Sequence, residues 1–147
     1  DALCKCLNRA CFEERRTRII EAASRPLCIF IADIDNLKTV NDRWGHAAGD
    51  DYIRSCAEAM KKIVRSSDNL YRIGGDEFVF FIPHLDSEGA ARIQARIEAE
   101  IAELGKAFPC GLSIGYSVLD ESDVDFERHF KIADEAMYCR KREKKLG

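Results

Sequence analysis

The stretch that most constrains the fold of this chain is "LYRIGGDEFVFFIP", Leu70 to Pro83. Two apolar runs, "NLYRI" and "EFVFFI", flank Gly74-Gly75 and read as a β-hairpin that Pro83 closes. Turn chemistry asks only for the glycines, yet Asp76 and Glu77 stand directly after them. Carboxylates at the edge of a core are costly unless something pairs with them. Gly74 and Gly75 also lack Cβ atoms, so backbone N–H groups there can approach a phosphate closely.

A hairpin of this kind needs neighbours, and the sequence supplies them. "LCIFIA", Leu27 to Ala32, is a short apolar run with the length and branching of a buried central strand. It is preceded by a helix that Asn8 can cap, running to about Arg25 and ended by Pro26. A short helix is expected from about Leu37 to Trp44, stopped by Gly45. The next helix is expected to open with Asp50 and Asp51, acids that suit a helix N-terminus. Beyond the hairpin, Asp86 caps a long helix with Ala90, Ile93, Ile97, Ile101 and Leu104 as its apolar stripe. "GLSIGYSVL", Gly111 to Leu119, is a further strand. Asp125 caps a last helix with Phe126, Phe130, Ala133 and Met137 on its inner face. The order α-β-α-α-β-β-α-β-α suits a mixed, largely antiparallel sheet with helices on its faces, an α/β (α+β) class of fold. At 147 residues the chain is one domain large enough to bury a core.

The acids acquire a purpose from this order. Asp33 lies where the central strand ends, and Asp76 in the hairpin tip. If the hairpin pairs beside Leu27–Ala32, both carboxylates face one edge. Two hard oxygen donors with open positions suit Mg²⁺, which takes few carboxylates and completes its shell with water and phosphate oxygens.

Composition narrows the function classes. The chain is 46% hydrophobic and 33% charged, the balance of a soluble globular domain. No apolar run approaches the ~20 residues that span a bilayer, and no signal peptide is visible. A cytoplasmic location follows as an expectation, with a membrane anchor left open for a longer parent protein. The net charge of −3 gives no global basic field for a long nucleic acid. Seven cysteines is an odd number; Cys28, Cys56, Cys110 and Cys139 sit in apolar contexts, which points to reduced thiols and a reducing compartment. Cys4, Cys6 and Cys11 lack the paired spacing and the histidine of a zinc knuckle and read as structural thiols.

"RIGGDEF" at Arg72–Phe78 resembles the signature of the GGDEF domain, the catalytic domain of diguanylate cyclases. The resemblance covers nearly the whole chain. "DALCKCLNR" is similar to the family's opening D-x-L-T-G-L-x-N-R, and "DIDNLKTVNDRWGHAAGD" at Asp33–Asp50 to its D-x-D-x-F-K-x-x-N-D-x-x-G-H-x-x-G-D. "LSIGYS" and "ADEAMYCRK" match later blocks in the right order. The resemblance implies a ferredoxin-like domain related to nucleotide cyclase and polymerase palm domains. It implies condensation of two GTP into cyclic di-GMP with release of two pyrophosphates, dependent on Mg²⁺ or Mn²⁺.

Carried over by position, the resemblance makes Asp33, Asp76 and the backbone carbonyl of Ile34 metal ligands. Asn41 and Asp50 become readers of guanine, whose N1–H and N2–H₂ a carboxylate can accept. Glu77 becomes the base, or a metal-coupled carboxylate, that activates the ribose 3′-OH. Lys38 neutralises phosphate charge, and Lys141 and Lys145 hold the terminal phosphates beside Gly74 and Gly75. "RSSD", Arg65 to Asp68, is similar to the family's R-x-x-D product-inhibition site, with Arg96 as a further product-binding arginine. Taken one at a time, Asn41 reads as a surface residue, Asp50 as a cap and Lys141 as a solvated helix end; only their ordered spacing argues otherwise. His46 reads as a packing histidine or one that supports a neighbouring site residue, rather than as a catalytic one.

Some positions depart from the pattern. Cys4-Lys5-Cys6 replaces Thr-Gly-Leu, and Leu37 stands for Phe. The closing K-x-x-G-R-N becomes Lys141-Arg142-Glu143-Lys144-Lys145-Leu146, so Lys145 keeps the charge of the family Arg without its fork. No departure removes a metal ligand or the guanine reader. The rival functions are a receptor domain that binds GTP or cyclic di-GMP without turnover, a cyclase making a mixed purine dinucleotide, and a ferredoxin-like interaction module. Retention of both turn acids argues against the first, an intact Asp50 against the second, and the joint placement of the polar residues against the third. A product with two phosphodiester links implies a homodimer for activity. The single domain, 1–147, is expected to be the catalytic piece of a longer signalling protein whose regulatory domain lies outside it.

Overall fold

The computed structural model describes residues 1–147 except 65–69, 105–109, 122, 124 and 147, and the side chain of residue 146. The elements run α1 (Arg9–Ala22), β1 (Leu27–Ile34), α2 (Leu37–Trp44), α3 (His46–Ile63), β2 (Leu70–Arg72), β3 (Glu77–Pro83), α4 (Ser87–Glu103), β4 (Leu112–Leu119) and α5 (Phe126–Leu146). This is the order expected from the sequence.

The four strands form one sheet in the order β2-β3-β1-β4, every adjacent pair antiparallel. An isolated parallel bridge joins Leu7 to Tyr71. β1 is central because every one of Leu27–Ala32 is buried and apolar, as a strand covered on both faces must be. Alternation assigns the faces. Cys28, Phe30, Ala32 and Ile34 pack with α3 and α4 through residues such as Ile53, Met60, Ala90 and Ile97. Leu27, Ile29 and Ile31 pack with α1 and α5 through Phe12, Ile20, Ala133 and Met137. Phe30 stacks on Phe80 across the β1–β3 pair, centroids 4.6 Å apart, and burying such a ring contributes about 1.5–3 kcal/mol. The same period of two places Asp33 on the α1/α5 face, opposite Glu77 in the β1–β3 register.

α5 lies unusually close to β4. A Cβ at Gly115 would overlap the Ala133 carbonyl and the Met137 amide, so only glycine admits the helix there. That approach brings the C-terminal turns of α5 to the end of β1.

Local differences from expectation have physical causes. α1 ends at Ala22 rather than near Arg25, because the Arg25 guanidinium donates to the Ile20 and Ala23 carbonyls at 2.7 and 3.3 Å and closes the helix early. α3 opens at His46, not at Asp50: a single residue, Gly45 at φ 91°, joins it to α2, and glycine takes that backbone without strain. His46 is therefore exposed at the first turn instead of packed. Leu104 follows the last residue of α4 and leaves the apolar stripe, 47% exposed. Cys28 and Cys56 are buried and Cys110 is partly so, but Cys139 is exposed, two residues past buried Met137 and on the outer side of α5. All seven cysteines are free thiols. Among the described residues no helix is long and apolar enough to cross a membrane.

Candidate functional site

Antiparallel pairing of β1 with β3 puts the hairpin turn beside the end of β1. The Ile34 N–H donates to the Asp76 carbonyl at 2.8 Å, which pins the turn there. The turn closes on itself through the Ile73 and Gly74 N–H groups, both donating to the Glu77 carbonyl at 2.9 and 3.3 Å. Gly75 has nothing within 4 Å of where a Cβ would stand, so the fold leaves the tip open to a ligand.

Asp33 is the electrostatic centre of this edge. Its side chain is 14% exposed, and the Lys141 ammonium lies 3.0 Å from Oδ1. Oδ1 is buried and has no partner in hydrogen-bond geometry, so the lysine meets it as a charge rather than as a directed bond. Burial pushes the Asp33 carboxyl up to about 7; Lys141 opposes the shift, and the charge of Asp76 adds to it. Two carboxylates sharing an edge with one lysine are short of positive charge, which is the donor set that a hard cation completes. Among the described residues no three acid, histidine or cysteine side chains gather as a metal cluster. A cation here would have Asp33 and Asp76 as its carboxylate donors, with other oxygens left to complete its shell.

Glu77 is half-buried and its pKa is also raised, by burial first and then by Asp134 of α5 and by Asp76, with Arg9 and Lys141 opposing. It faces the α1/α5 side with Asp33. Beside this edge opens a cleft of about 870 Å³ whose lining includes Ile34, Lys38, Asp76, Lys141 and Lys145. Asn41 and Asp50 do not line it. They sit on the α2–α3 pair, where the Asn41 amide lies against Gly49, the residue before Asp50; a Cβ at Gly49 would overlap it. Both are partly buried. Arg96 is exposed on α4. Arg65 and Asp68 lie outside the described residues.

Several residues with no role in the sequence reading also meet at the edge. Asp35 is buried, accepts from Ser113 Oγ at 2.8 Å and from Lys144 Nζ at 2.9 Å. Glu98, buried on α4, pairs with Arg140 and accepts from the Ile114 N–H at 3.1 Å. The D-I-D spacing was the available signal for Asp35, which lies in the turn just past β1.

The family model for the diguanylate cyclase GGDEF domain matches residues 1–146. Diguanylate cyclase DosC of Escherichia coli K12 is 37% identical over 97% of this chain. The chain spans about a third, 33%, of that protein's length. The GGDEF domain of YfiN (TpbB) from Pseudomonas aeruginosa superposes with a TM-score of 0.80 at 34% identity, covering 95% of this chain and 92% of that one. The GGDEF domain of DgcB from Caulobacter crescentus, solved in complex with c-di-GMP, gives 0.82 at 25% identity, covering 98% and 88%.

Proposed function

The chain belongs to the GGDEF family, and from that premise we propose that it is a diguanylate cyclase domain that condenses two GTP into cyclic di-GMP and two pyrophosphates. The observation that carries the reading is the buried Oδ1 of Asp33 beside Asp76, met by the Lys141 charge but by no directed hydrogen bond, next to a cleft lined by lysines. Asp33, Asp76 and the Ile34 carbonyl would hold Mg²⁺ or Mn²⁺. When bound, the cation supplies charge to the phosphate oxygens as negative charge builds on them.

The chain's own residues do the rest. Asp50 accepts from guanine N1–H and N2–H₂, and Asn41 complements the remaining edge. Lys38, Lys141 and Lys145 bind the phosphates, with the open tip at Gly74 and Gly75 giving the nucleotide room. Lys141, freed from Asp33 when that carboxylate takes a ligand, turns to the terminal phosphates. Glu77 takes the proton from the ribose 3′-OH, and its raised pKa makes it a stronger base than an ordinary carboxylate. Each 3′-OH attacks the α-phosphate of the other GTP and expels pyrophosphate. One domain offers one such edge, so two domains must face each other with the in-line approach set by docking. Product binding at Arg65, Asp68 and Arg96 would hold domains apart and limit turnover. A cytoplasmic catalytic piece of a longer, regulated protein fits this role.

The test is base selection. Guanine donors left without Asp50, or Asp50 left without donors, cost ~1–3 kcal/mol, so GTP should bind at least about tenfold more tightly than ATP in Mg²⁺. Equal competition by ATP in a titration would overturn the guanine assignment.

A further inference from the structure

The last turns of α5 carry a cation that the reaction above does not use. Lys144 Nζ donates to Asp35 Oδ2 at 2.9 Å and to the Leu112 carbonyl at 2.6 Å, and lies 3.9 Å from Glu98 Oε1. Its acceptors are locked in place. The Asp35 N–H donates to the Gly111 carbonyl at 2.9 Å, and the Asp35 carbonyl accepts from the Tyr52 hydroxyl at 2.7 Å. Ser113 holds its other carboxylate oxygen. Glu98 is fixed by the Ile114 N–H and by Arg140. Lys144 thus ties the end of α5 to β1 and β4, with the α4 carboxylate close by.

Lys141 stands one turn earlier on the same helix face, as residues three apart do. Its situation is the reverse. It pairs with Asp33 at 3.0 Å and lies 4.0 Å from Asp35 Oδ1, with no directed hydrogen bond to Asp33 Oδ1, and Asp33 is the carboxylate that a ligand would claim. A nucleotide can recruit Lys141 without breaking the fold. It cannot recruit Lys144 without breaking two directed bonds, one to a carboxylate that Ser113 also holds and one to a backbone carbonyl of β4. Both lysines line the same cleft.

Given the nucleotide reading of that cleft, we propose that Lys144 is a positioning residue. It anchors the C-terminal turn of α5 to Asp35 and the Leu112 carbonyl, and so holds Lys141 at the height where its ammonium meets the terminal phosphates. The family pattern quoted above has glycine at this place, so the tie is a feature of this chain's own sequence.

A double-mutant cycle read by binding tests it. Wild type, Lys144→Met, Lys141→Met and the double variant are titrated with a non-hydrolysable GTP analogue in Mg²⁺, and each is melted without nucleotide to establish folding. Lys144→Met should weaken binding about fivefold and Lys141→Met about tenfold, and the double variant should bind no more weakly than Lys141→Met, because a residue acting only through another adds nothing once that other is gone. If Lys144→Met does not fold, Lys144→Gln, which can still donate to the Leu112 carbonyl, replaces it in the cycle. Effects that multiply in the double variant would mean that Lys144 acts independently of Lys141, and would overturn the proposal. So would a Lys144 variant that binds as wild type does. A wild-type chain that binds no guanine nucleotide would overturn the cleft assignment and the anchor together.

Discussion

The two ends of α5 are both tied to the sheet by polar side chains, and they are tied differently. At the N-terminal end His129, 4% exposed, sits 2.6 Å from Ser117 Oγ through Nδ1 and 2.5 Å from Asp123 Oδ2 through Nε2. With the proton on Nε2, the imidazole donates to Asp123 and accepts from Ser117. Arg128 also pairs with Asp123. At the C-terminal end Lys144 is equally well held, but Asp33 Oδ1 is buried without a directed partner. The pKa directions follow the contrast. The hydrogen bond from His129 holds the Asp123 carboxyl below its ordinary range, while burial lifts that of Asp33. Groups whose bonds are complete hold a helix in place. A buried group whose bonds are incomplete is costly in the free chain and is therefore a mark of where a ligand belongs.

The contrast can be broken most sharply at the open end. Asp76→Ala should abolish most Mg²⁺-dependent turnover, a loss of several kcal/mol of transition-state stabilisation, with the melting temperature little changed. Comparable activity at equal Mg²⁺ would remove Asp76 from the metal site. The closed end should give the opposite result. His129→Ala leaves buried Ser117 Oγ without its partner and takes one bond from Asp123, which keeps Arg128, and should lower unfolding free energy by about 1–3 kcal/mol in a denaturant titration. Turnover per folded molecule should stay unchanged, and a selective fall in turnover would make the N-terminal tie part of the chemistry.

A residue outside α5 serves as a control. Arg65→Ala should weaken cyclic di-GMP binding by calorimetry, by about 1.5–3 kcal/mol for a charge-assisted bond, and should relieve inhibition while GTP affinity holds. Equal product binding by both proteins would remove the RSSD stretch from product recognition.

The smallest effect is in pH. Asp33 carries a pKa raised from 3.8 to about 7, so between those values the folded, metal-free chain keeps a proton that the unfolded chain has lost. Its contribution to stability is full below the lower value and is lost as pH rises through the higher. Asp123 runs the other way: its contribution is present above 3.8 and is lost as pH falls through its depressed folded value. Chemical denaturation of the metal-free chain should show stability falling from pH 4 towards 7, and Asp33→Asn should flatten that slope. An unchanged slope in Asp33→Asn would assign it to another group.

The sequence made the open end more legible than the closed one. Asp33, Asp76 and Glu77 interrupt apolar runs, and an acid in such a place is visible at once. The strand alternation and the hairpin then bring Asp33 and Glu77 to one face, as the β1–β3 register shows. Lys144 and Arg140 were not legible. Within "RKREKK" every long cation looks solvated, and nothing local tells which one reaches the Leu112 carbonyl, a backbone acceptor without a side-chain signal. Ser117, Asp123 and His129 escaped for a related reason. Their meeting depends on how closely α5 approaches β4, and that distance is set by Gly115, an unremarkable residue within a strand. Asp50 and Asp51 imitate a helix N-terminus and so point to a later start for α3, whereas Gly45 is the true junction.

The most direct measurement is turnover. The purified chain is incubated with GTP and Mg²⁺, at several protein concentrations and with a chelator control, and the products are identified by mass and by pyrophosphate release. Cyclic di-GMP and pyrophosphate should form in a ratio of one to two, with no product in the chelator and specific activity that rises with protein concentration as two domains meet. A folded chain that binds GTP in Mg²⁺ yet yields no cyclic di-GMP at any concentration would contradict the proposed cyclase activity.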